Sequence, residues 1–278
     1  MEYQEILVDS PAEYGASETN AGELIIESIE NNQFLLLYQL IDPLAITSGE
    51  AMHYGVLVRL TEEEENLMPP GAFFAVAEEH GLMPYLDRWV IRNVLICASR
   101  PRQEEIVDKR TMFFINLAGD TIRNPEFPGF VQKSLKEFDI AGSVLCFEIP
   151  YADLSLLRAN IGKFIQAIRA LGCRVAISGC GQQMVSLELI SHFQFDFLKM
   201  DGIVINNVHR DPVSLAKTKA LTHVAKRIGV KTIAEFVESE ETVAKLREIG
   251  IDYVQGYGIS SPRTFEPDQP VSIQRVNV

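Results

Sequence analysis

Eight short apolar runs, rich in Val, Ile, Phe and Tyr, recur along the chain and constrain its fold more than any other feature. Each run has the length and composition of a β-strand. The runs are FLLLYQLI (34–41), HYGVLVRL (53–60), TMFFINLA (111–118), SVLCFEI (143–149), RVAIS (174–178), FDFLKMD (195–201), KTIAEFV (231–237) and YVQGY (253–257). A regular series of this kind predicts a sheet with one strand for each run.

Amphipathic segments of helical length lie between most of these runs. Examples are 86–99, 152–172, 211–229 and 239–250, and the last three end at a glycine, as helix carboxyl termini often do. Strands that alternate with helices predict an α/β fold, and a full series predicts a TIM-like (βα)8 barrel. Only residues 42–52 join the first two runs, which is too few for a helical crossover. We therefore expect a modified barrel with an antiparallel first strand.

The two ends of the chain differ from its centre. Residues 1–20 are acidic and rich in turn-forming residues, as linkers and tails are. We expect an acidic amino-terminal tail or linker at 1–20, the barrel at 21–265 and a carboxyl-terminal tail at 266–278. Whether the chain is a fragment of a multidomain protein stays open at this point.

Acidic residues outnumber basic ones, 38 to 25, which gives a net charge of −13. Proteins that bind nucleic-acid backbones carry the opposite sign, so we expect no nucleic-acid binding. No signal peptide begins the chain and no apolar stretch has the length of a membrane span, so we expect no membrane insertion. The four cysteines show neither a CxxC pair nor zinc-ligand spacing with histidine, which fits a reducing, cytoplasmic location.

Polar side chains end almost every strand-like run. They are Arg59, Asn116, Glu148, Ser178, Lys199, Asp201, Glu235 and Gln255. In a (βα)8 barrel the carboxyl ends of the strands meet at one face, where functional sites form. Since buried strand ends otherwise favour apolar residues, the pattern predicts one shared site at that face.

Seven motifs together resemble those of the EAL-domain family, whose members hydrolyse the bacterial second messenger cyclic di-GMP. The resemblance covers about residues 22–265 and implies the same modified barrel. The motifs, in the family's order, are LLLYQLIDPL, LMPPGAFFAVAEEHGLMPYLDRWVI, FFINLAG, LCFEI, FDFLKMD, TIAEFVE and YVQGYGISSP.

Departures from the family's pattern fall on its catalytic positions. Where the family has the metal-binding glutamate of its Glu-Ala-Leu run, this chain has Gly55. Ser178 and Gly179 replace the paired aspartates that bind both catalytic metals, and Tyr151 replaces a glutamate that braces an active-site loop. The resemblance therefore implies a degenerate phosphodiesterase domain that is not an enzyme, with Lys199 and Glu235 as catalytic remnants.

Hard divalent cations require several oxygen ligands, and paired metals at a phosphodiester require a dense carboxylate cluster. The metal-site remnants are Asn116, Glu148 and Asp201. We expect these to make a poor cage, so we expect no catalytic Mg²⁺ or Mn²⁺. Positive charge for a phosphate would then come from Arg59 and Lys199.

The favoured interpretation is a cyclic di-GMP receptor, similar to the FimX-like degenerate members of the family. Arg59 would pair with a phosphate, Asp87 would accept from a guanine edge, and Phe236 would stack on a base. The residues that the resemblance assigns to the ligand site are Gln39, Leu57, Arg59, Asp87, Asn116, Glu235, Phe236 and Gln255.

Two alternatives stay open from the sequence. One is residual cyclic di-GMP phosphodiesterase activity, which the retained Lys199 favours. The other is a protein-interaction scaffold that has lost nucleotide binding. By resemblance, the signal would pass to a protein partner, for example a PilZ-type adaptor. Since EAL domains often dimerise, the resemblance also allows a homodimer.

Overall fold

The structure is a computed structural model that describes residues 25–29, 33–45, 53–60, 73–99, 110–182 and 186–264. The tails expected at 1–20 and 266–278 lie outside these residues. No helix within the described ranges is both long enough and apolar enough to cross a bilayer.

Nine strands within these ranges build one sheet that closes into a barrel. They are β1 (Phe34–Pro43), β2 (His53–Leu60), β3 (Phe113–Asn116), β4 (Leu145–Pro150), β5 (Arg174–Cys180), β6 (Phe197–Met200), β7 (Lys231–Ala234), β8 (Tyr253–Val254) and β9 (Arg263–Thr264). The strands from β2 to β8 are parallel neighbours in chain order. Strand β1 closes the barrel by pairing antiparallel with both β2 and β8, and β9 adds to its edge. The predicted modified (βα)8 barrel with an antiparallel first strand is confirmed.

Helices fill most connections between the parallel strands. They are α1 (Phe73–Glu79), α2 (Met83–Ser99), α3 (Gly119–Arg123), α4 (Phe127–Glu137), α5 (Asp153–Leu156), α6 (Arg158–Ala170), α7 (Leu187–His192), α8 (Gly202–Ile205), α9 (Pro212–Arg227) and α10 (Glu240–Ile249). A single 3₁₀ turn, Gly142–Val144, precedes β4, and residues 25–29 are also helical.

Local sequence signals set the ends of the outer helices. Ser239 caps α10 by accepting a hydrogen bond from the Thr242 amide, and Gly250 ends it in the left-handed conformation that glycine adopts without strain. Asp211 caps α9 by accepting from the amide of Ser214. The amino-terminal caps at Asp211 and Ser239 fix where the loops at the carboxyl-terminal end of the barrel stop and the helices begin.

The barrel interior is packed with side chains, as small barrels require. An apolar layer crosses it near the amino-terminal ends of the strands, formed by Ile41, Phe114, Cys146, Ala176, Phe197, Ile233 and Tyr253. The His53 ring lies within 6.0 Å of the rings of Phe114, Phe197 and Tyr253. This layer closes the barrel interior near the amino-terminal ends of the strands. The central cavity therefore opens at the carboxyl-terminal end.

Candidate functional site: a cavity at the carboxyl-terminal end of the barrel

A cavity of about 510 Å³ opens where the carboxyl ends of the parallel strands meet. Its lining residues come from eight strands, β1 to β8, or from the loops that follow them. Among its lining residues are seven of the eight predicted ligand-site positions: Gln39, Leu57, Arg59, Asn116, Glu235, Phe236 and Gln255. Gly55, Glu148, Ser178, Gly179 and Lys199 line it as well. The structure therefore brings together the residues that the strand-end pattern grouped.

Asp87, the eighth predicted position, is not among the lining residues of this cavity. It lies buried on α2, where its carboxylate accepts hydrogen bonds from the Ala118 amide at 3.1 Å and from the Thr121 hydroxyl. Burial raises the pKa of Asp87 to about 7, although both hydrogen bonds act in the opposite direction. Its visible role is to anchor the loop that follows Asn116.

A buried ion-paired triad occupies the centre of the cavity floor. The Lys199 ammonium lies 2.7 Å from Glu148 and 2.9 Å from Glu235. Burial acts to lower the pKa of Lys199, but the two carboxylates outweigh it and hold that pKa above its usual value. Burial raises the pKa of Glu235, partly offset by Lys199. Lys199 is thus committed to protein carboxylates, contrary to the expectation that it meets a phosphate directly.

Arg59 is the other cation in the cavity lining. It lies near the end of β2, opposite Leu35 of β1, and is only partly buried. Within the part of the chain that the structure describes, its guanidinium has no ion-pair partner. Arg59 is therefore the lining cation that remains available to an anionic ligand.

The remnants of the expected metal site do not converge. Asn116 and Glu148 line the cavity, but Asp201 does not, because it caps α8 by accepting from the Ile203 amide at 2.8 Å. Its second oxygen accepts from Gln182 at 2.7 Å. Across the described ranges, no three His, Cys, Asp or Glu side chains group so that they could hold a metal ion. The residues present therefore do not fit the two-metal site that the resemblance associates with catalysis.

Position 55 lacks the space for a side chain as the structure stands. A Cβ built on Gly55 would lie 2.5 Å from Gln255 Nε2. Gln255 Nε2 donates to Gln39 Oε1 at 3.1 Å, and Gln39 Nε2 donates to the Ser260 carbonyl at 2.9 Å. Gln255 Oε1 is buried and lacks a hydrogen-bond partner. The Gln39–Gln255 pair fills the place of the missing glutamate, and it leaves one unsatisfied acceptor buried beside the cavity.

The end of β5, which leads into the loop before α7, departs from a regular strand. Gly179 adopts a positive φ of 69°, and the pairing of β5 with β6 shifts register between Ile177 and Cys180. Beyond it, the Tyr151 hydroxyl accepts a hydrogen bond from the Ser186 amide at 2.6 Å. Tyr151 thus ties down this loop from β4, a contact that its substitution for an acidic residue did not predict.

Two exposed aromatic residues lie at the mouth of the cavity. Phe236 is 56% exposed and Tyr257 is 63% exposed, and both line the cavity. Phe236 has a φ of 57°, a left-handed conformation that is rare for a bulky residue. Its Cβ lies against Gly202, where an added Cβ would come within 2.7 Å.

The loops that carry these two aromatics are bonded to each other. The Val237 amide donates to the Gln255 carbonyl at 3.0 Å, and the Gly258 amide donates to the Val237 carbonyl at 2.9 Å. A Cβ on Gly256 would lie 2.2 Å from the Val237 nitrogen, so only glycine permits this approach. Tyr257 was not among the predicted ligand-site residues, although an aromatic residue directly after a strand-end Gln-Gly pair is a usable signal for such a position.

The sequence of this chain is similar to those of named cyclic di-GMP phosphodiesterases. Cyclic di-GMP phosphodiesterase PdeB of Shewanella oneidensis is 31% identical over 239 residues, which are 86% of this chain and 28% of that protein. Cyclic di-GMP phosphodiesterase PdeF of Escherichia coli is 29% identical over 237 residues, 85% of this chain and 31% of that protein. The chain thus spans about a third of the length of these relatives.

These names correct one prediction. Gly55, Ser178 and Gly179 predicted a chain that is not an enzyme. That prediction is wrong, because chains of related sequence are named phosphodiesterases.

The fold comparison points to a second kind of relative. The FimX EAL domain from Pseudomonas aeruginosa, solved bound to c-di-GMP, superposes with a TM-score of 0.78 at 27% identity and covers 91% of this chain and 100% of that one. The family model described as EAL domain matches residues 24–262. The resemblance to FimX-like members is therefore confirmed, and the chain belongs to the EAL domain family.

Proposed function

We propose that this domain binds cyclic di-GMP in the cavity at the carboxyl-terminal end of its barrel. The observation that carries the proposal is the pairing, in one cavity, of an available cation at Arg59 with an exposed aromatic at Phe236. A cyclic dinucleotide offers the matching groups, which are anionic phosphates and flat bases. The c-di-GMP-bound FimX domain supports the same assignment.

The geometry supports a distinct role for each group. Arg59 donates charge-assisted hydrogen bonds to a phosphate. Phe236 stacks on a guanine, with Tyr257 beside it. The Gln255 side chain lines the cavity and turns its buried, unsatisfied Oε1 to accept from a guanine N–H, which removes the free-energy cost of leaving that acceptor unsatisfied. Asp87 contributes indirectly, through the loop that follows Asn116.

Three further predicted positions line the cavity without a charged contact to the ligand. Gln39 orients Gln255, Leu57 supplies apolar wall, and Glu235 is held by Lys199. Two negative carboxylates share one ammonium here, so they do not attract a phosphate. The ligand is therefore proposed to lie toward Arg59 and the aromatic mouth rather than over the triad.

Binding without a divalent cation is part of the proposal. In place of a metal, Lys199 lies between Glu148 and Glu235 and neutralises part of their charge. The oxygens of Asp201 are occupied by hydrogen bonds from Ile203 and Gln182. The affinity for cyclic di-GMP should then be the same in EDTA and in millimolar Mg²⁺.

Isothermal titration calorimetry with cyclic di-GMP tests this function. We expect saturable one-to-one binding by the unmodified domain, equal in EDTA and in Mg²⁺. Arg59→Ala should weaken it, whereas Arg247→Ala, on the exposed face of α10, should leave it unchanged. Absence of binding in both buffers would refute the function, and loss of binding in EDTA alone would refute its independence of metal.

Hydrolysis of cyclic di-GMP is the second candidate function. The names of the relatives favour it, as does the retained Lys199–Glu235 contact of 2.9 Å. Incubation of the domain with cyclic di-GMP and Mn²⁺, followed by chromatography for the linear dinucleotide, measures it directly. Product that accumulates with each turnover, and that disappears in Glu235→Gln, would favour hydrolysis over binding alone.

Signalling through a protein partner completes the proposal. Four apolar side chains remain exposed beyond the carboxyl ends of β4, β6, β7 and β8, namely Leu156, Ile203, Phe236 and Tyr257. Such a rim suits a protein that reads the occupied cavity, either a PilZ-type adaptor or a second copy of the domain. We place the domain in the cytoplasm, a location that the buried free thiols of Cys146, Cys173 and Cys180 support.

A further inference from the structure

A second cavity, of about 630 Å³, lies at the opposite end of the barrel. Its lining includes the first residues of three strands, Arg174 of β5, Phe197 of β6 and Lys231 of β7. The apolar layer that closes the barrel interior separates this second cavity from the proposed cyclic di-GMP cavity, since Phe197 belongs both to the layer and to the lining of the second cavity. The two cavities are therefore distinct sites.

The lining of the second cavity carries more positive than negative side chains, although the protein as a whole is acidic. Three cations line it, Arg169, Arg174 and Lys231, against one carboxylate, Asp196. The chain as a whole carries a net charge of −13. A local excess of positive charge in an acidic protein concentrates small anions, because the field inside a concave, low-dielectric surface is focused there.

The two arginines have hydrogen-bond donors to spare. Arg169 and Arg174 each bind Asp196 through one nitrogen, Nη1, and the two guanidinium groups share this single carboxylate. Asp196 also accepts from the Val175 amide at 3.0 Å, so its position is fixed. Among the described residues, Nη2 and Nε of both arginines donate to no protein acceptor. Two planar donor sets held by one fixed carboxylate match the oxygens of a phosphate group.

Lys231 lies at the rim, where it binds Asp252 at 2.8 Å and is half exposed. Ile228 is exposed beside it, so the cavity offers apolar surface next to the cations. The volume is that of a small-molecule site.

We propose that this cavity is a binding site for a phosphomonoester, with Arg169 and Arg174 as the phosphate ligands. The phosphate would accept from the unused guanidinium nitrogens while Asp196 keeps both side chains in place. The site is independent of the function proposed for the cavity at the other end of the barrel.

The test uses the Arg59→Ala variant, in which binding at the cyclic di-GMP cavity is weakened. Inorganic phosphate, 5′-GMP and guanosine are titrated into it by calorimetry. We expect phosphate and 5′-GMP to bind and to compete, and guanosine not to bind. Adding Arg174→Ala should lower the affinity for 5′-GMP by roughly 10- to 140-fold, the range for loss of a charge-assisted hydrogen bond.

Arg247→Ala in the same background is the matched control, because it removes one arginine from an exposed helix. Arg174→Lys guards against a folding defect, since it keeps the charge and should retain part of the affinity. The proposal is overturned if neither phosphate nor 5′-GMP binds. It is equally overturned if Arg174→Ala costs no more affinity than Arg247→Ala, or if guanosine binds as tightly as 5′-GMP.

Discussion

Phe236 offers a test in which stability and binding change in opposite directions. Its φ of 57° lies in the left-handed region, where a residue with a Cβ is strained by about 1–2 kcal/mol relative to glycine. The ring is 56% exposed, so burial recovers little of that strain. A strained, exposed aromatic at the mouth of a cavity is typical of a residue kept for its ligand.

The informative comparison is between Phe236→Ala and Phe236→Gly. Both variants remove the ring, so both should weaken cyclic di-GMP binding by about 1–3 kcal/mol. Only glycine relieves the backbone strain, and its extra freedom in the unfolded chain offsets about 0.5–1 kcal/mol of that gain. The glycine variant should therefore be more stable than the alanine variant by about 0.5–1 kcal/mol, or roughly 1–4 °C in Tm.

Urea unfolding measures the two stabilities, and calorimetry measures the two affinities. Tyr257 supplies the control, because it also lines the cavity but is not among the residues with positive φ. At this position the order should reverse, with Tyr257→Gly less stable than Tyr257→Ala. The reasoning is refuted if Phe236→Ala is as stable as Phe236→Gly, or if both Phe236 variants bind with unchanged affinity.

Three further predictions concern single contacts. Arg59→Ala should weaken cyclic di-GMP binding by roughly 1.5–3 kcal/mol, as measured by calorimetry, and a loss no larger than that of Arg247→Ala would contradict the phosphate contact. Tyr151→Phe removes the acceptor of the Ser186 amide, so hydrogen exchange of that amide should quicken; unchanged protection would contradict the brace. Asp87 has a folded pKa of about 7, above its unfolded value of 3.8, so its contribution to stability is full below pH 3.8 and is lost as the pH rises to 7. The Asp87→Asn variant should lack that decline in urea unfolding between pH 4 and 7, and an unaltered profile would contradict the raised pKa.

The order of strands and the location of the site were predictable from the sequence because both follow from periodicity. Short β-rich runs separated by amphipathic segments admit few topologies, and parallel strands place their ends together. The lack of a helix between the first two runs was enough to predict that β1 is antiparallel. Seven of the eight polar residues at the strand ends then line the cavity, Asp201 being the exception.

What the sequence did not predict depends on side-chain contacts across the barrel. Lys199 reads as a free cation at a strand end, but two carboxylates from β4 and from the end of β7 hold it. Asp87 reads as a helix residue that faces the ligand, whereas its rotation about α2 turns it toward Ala118. Tyr257 was missed because the Gln-Gly-aromatic pattern marks a candidate without showing its direction, and the packing of its loop on Val237 is visible only in the structure. Such contacts join residues far apart in sequence, where periodicity gives no information.

The contact between Gly55 and Gln255 couples the two positions. Any side chain introduced at position 55 meets the end of the Gln255 side chain 2.5 Å away, and that amide is hydrogen-bonded through Gln39 to the Ser260 carbonyl. Gly55→Glu therefore requires the flexible Gln255 side chain to move and its hydrogen bond to Gln39 to break. The free-energy cost of a substitution at position 55 thus depends on the residue at position 255, so the two substitutions should be non-additive in a double-mutant cycle.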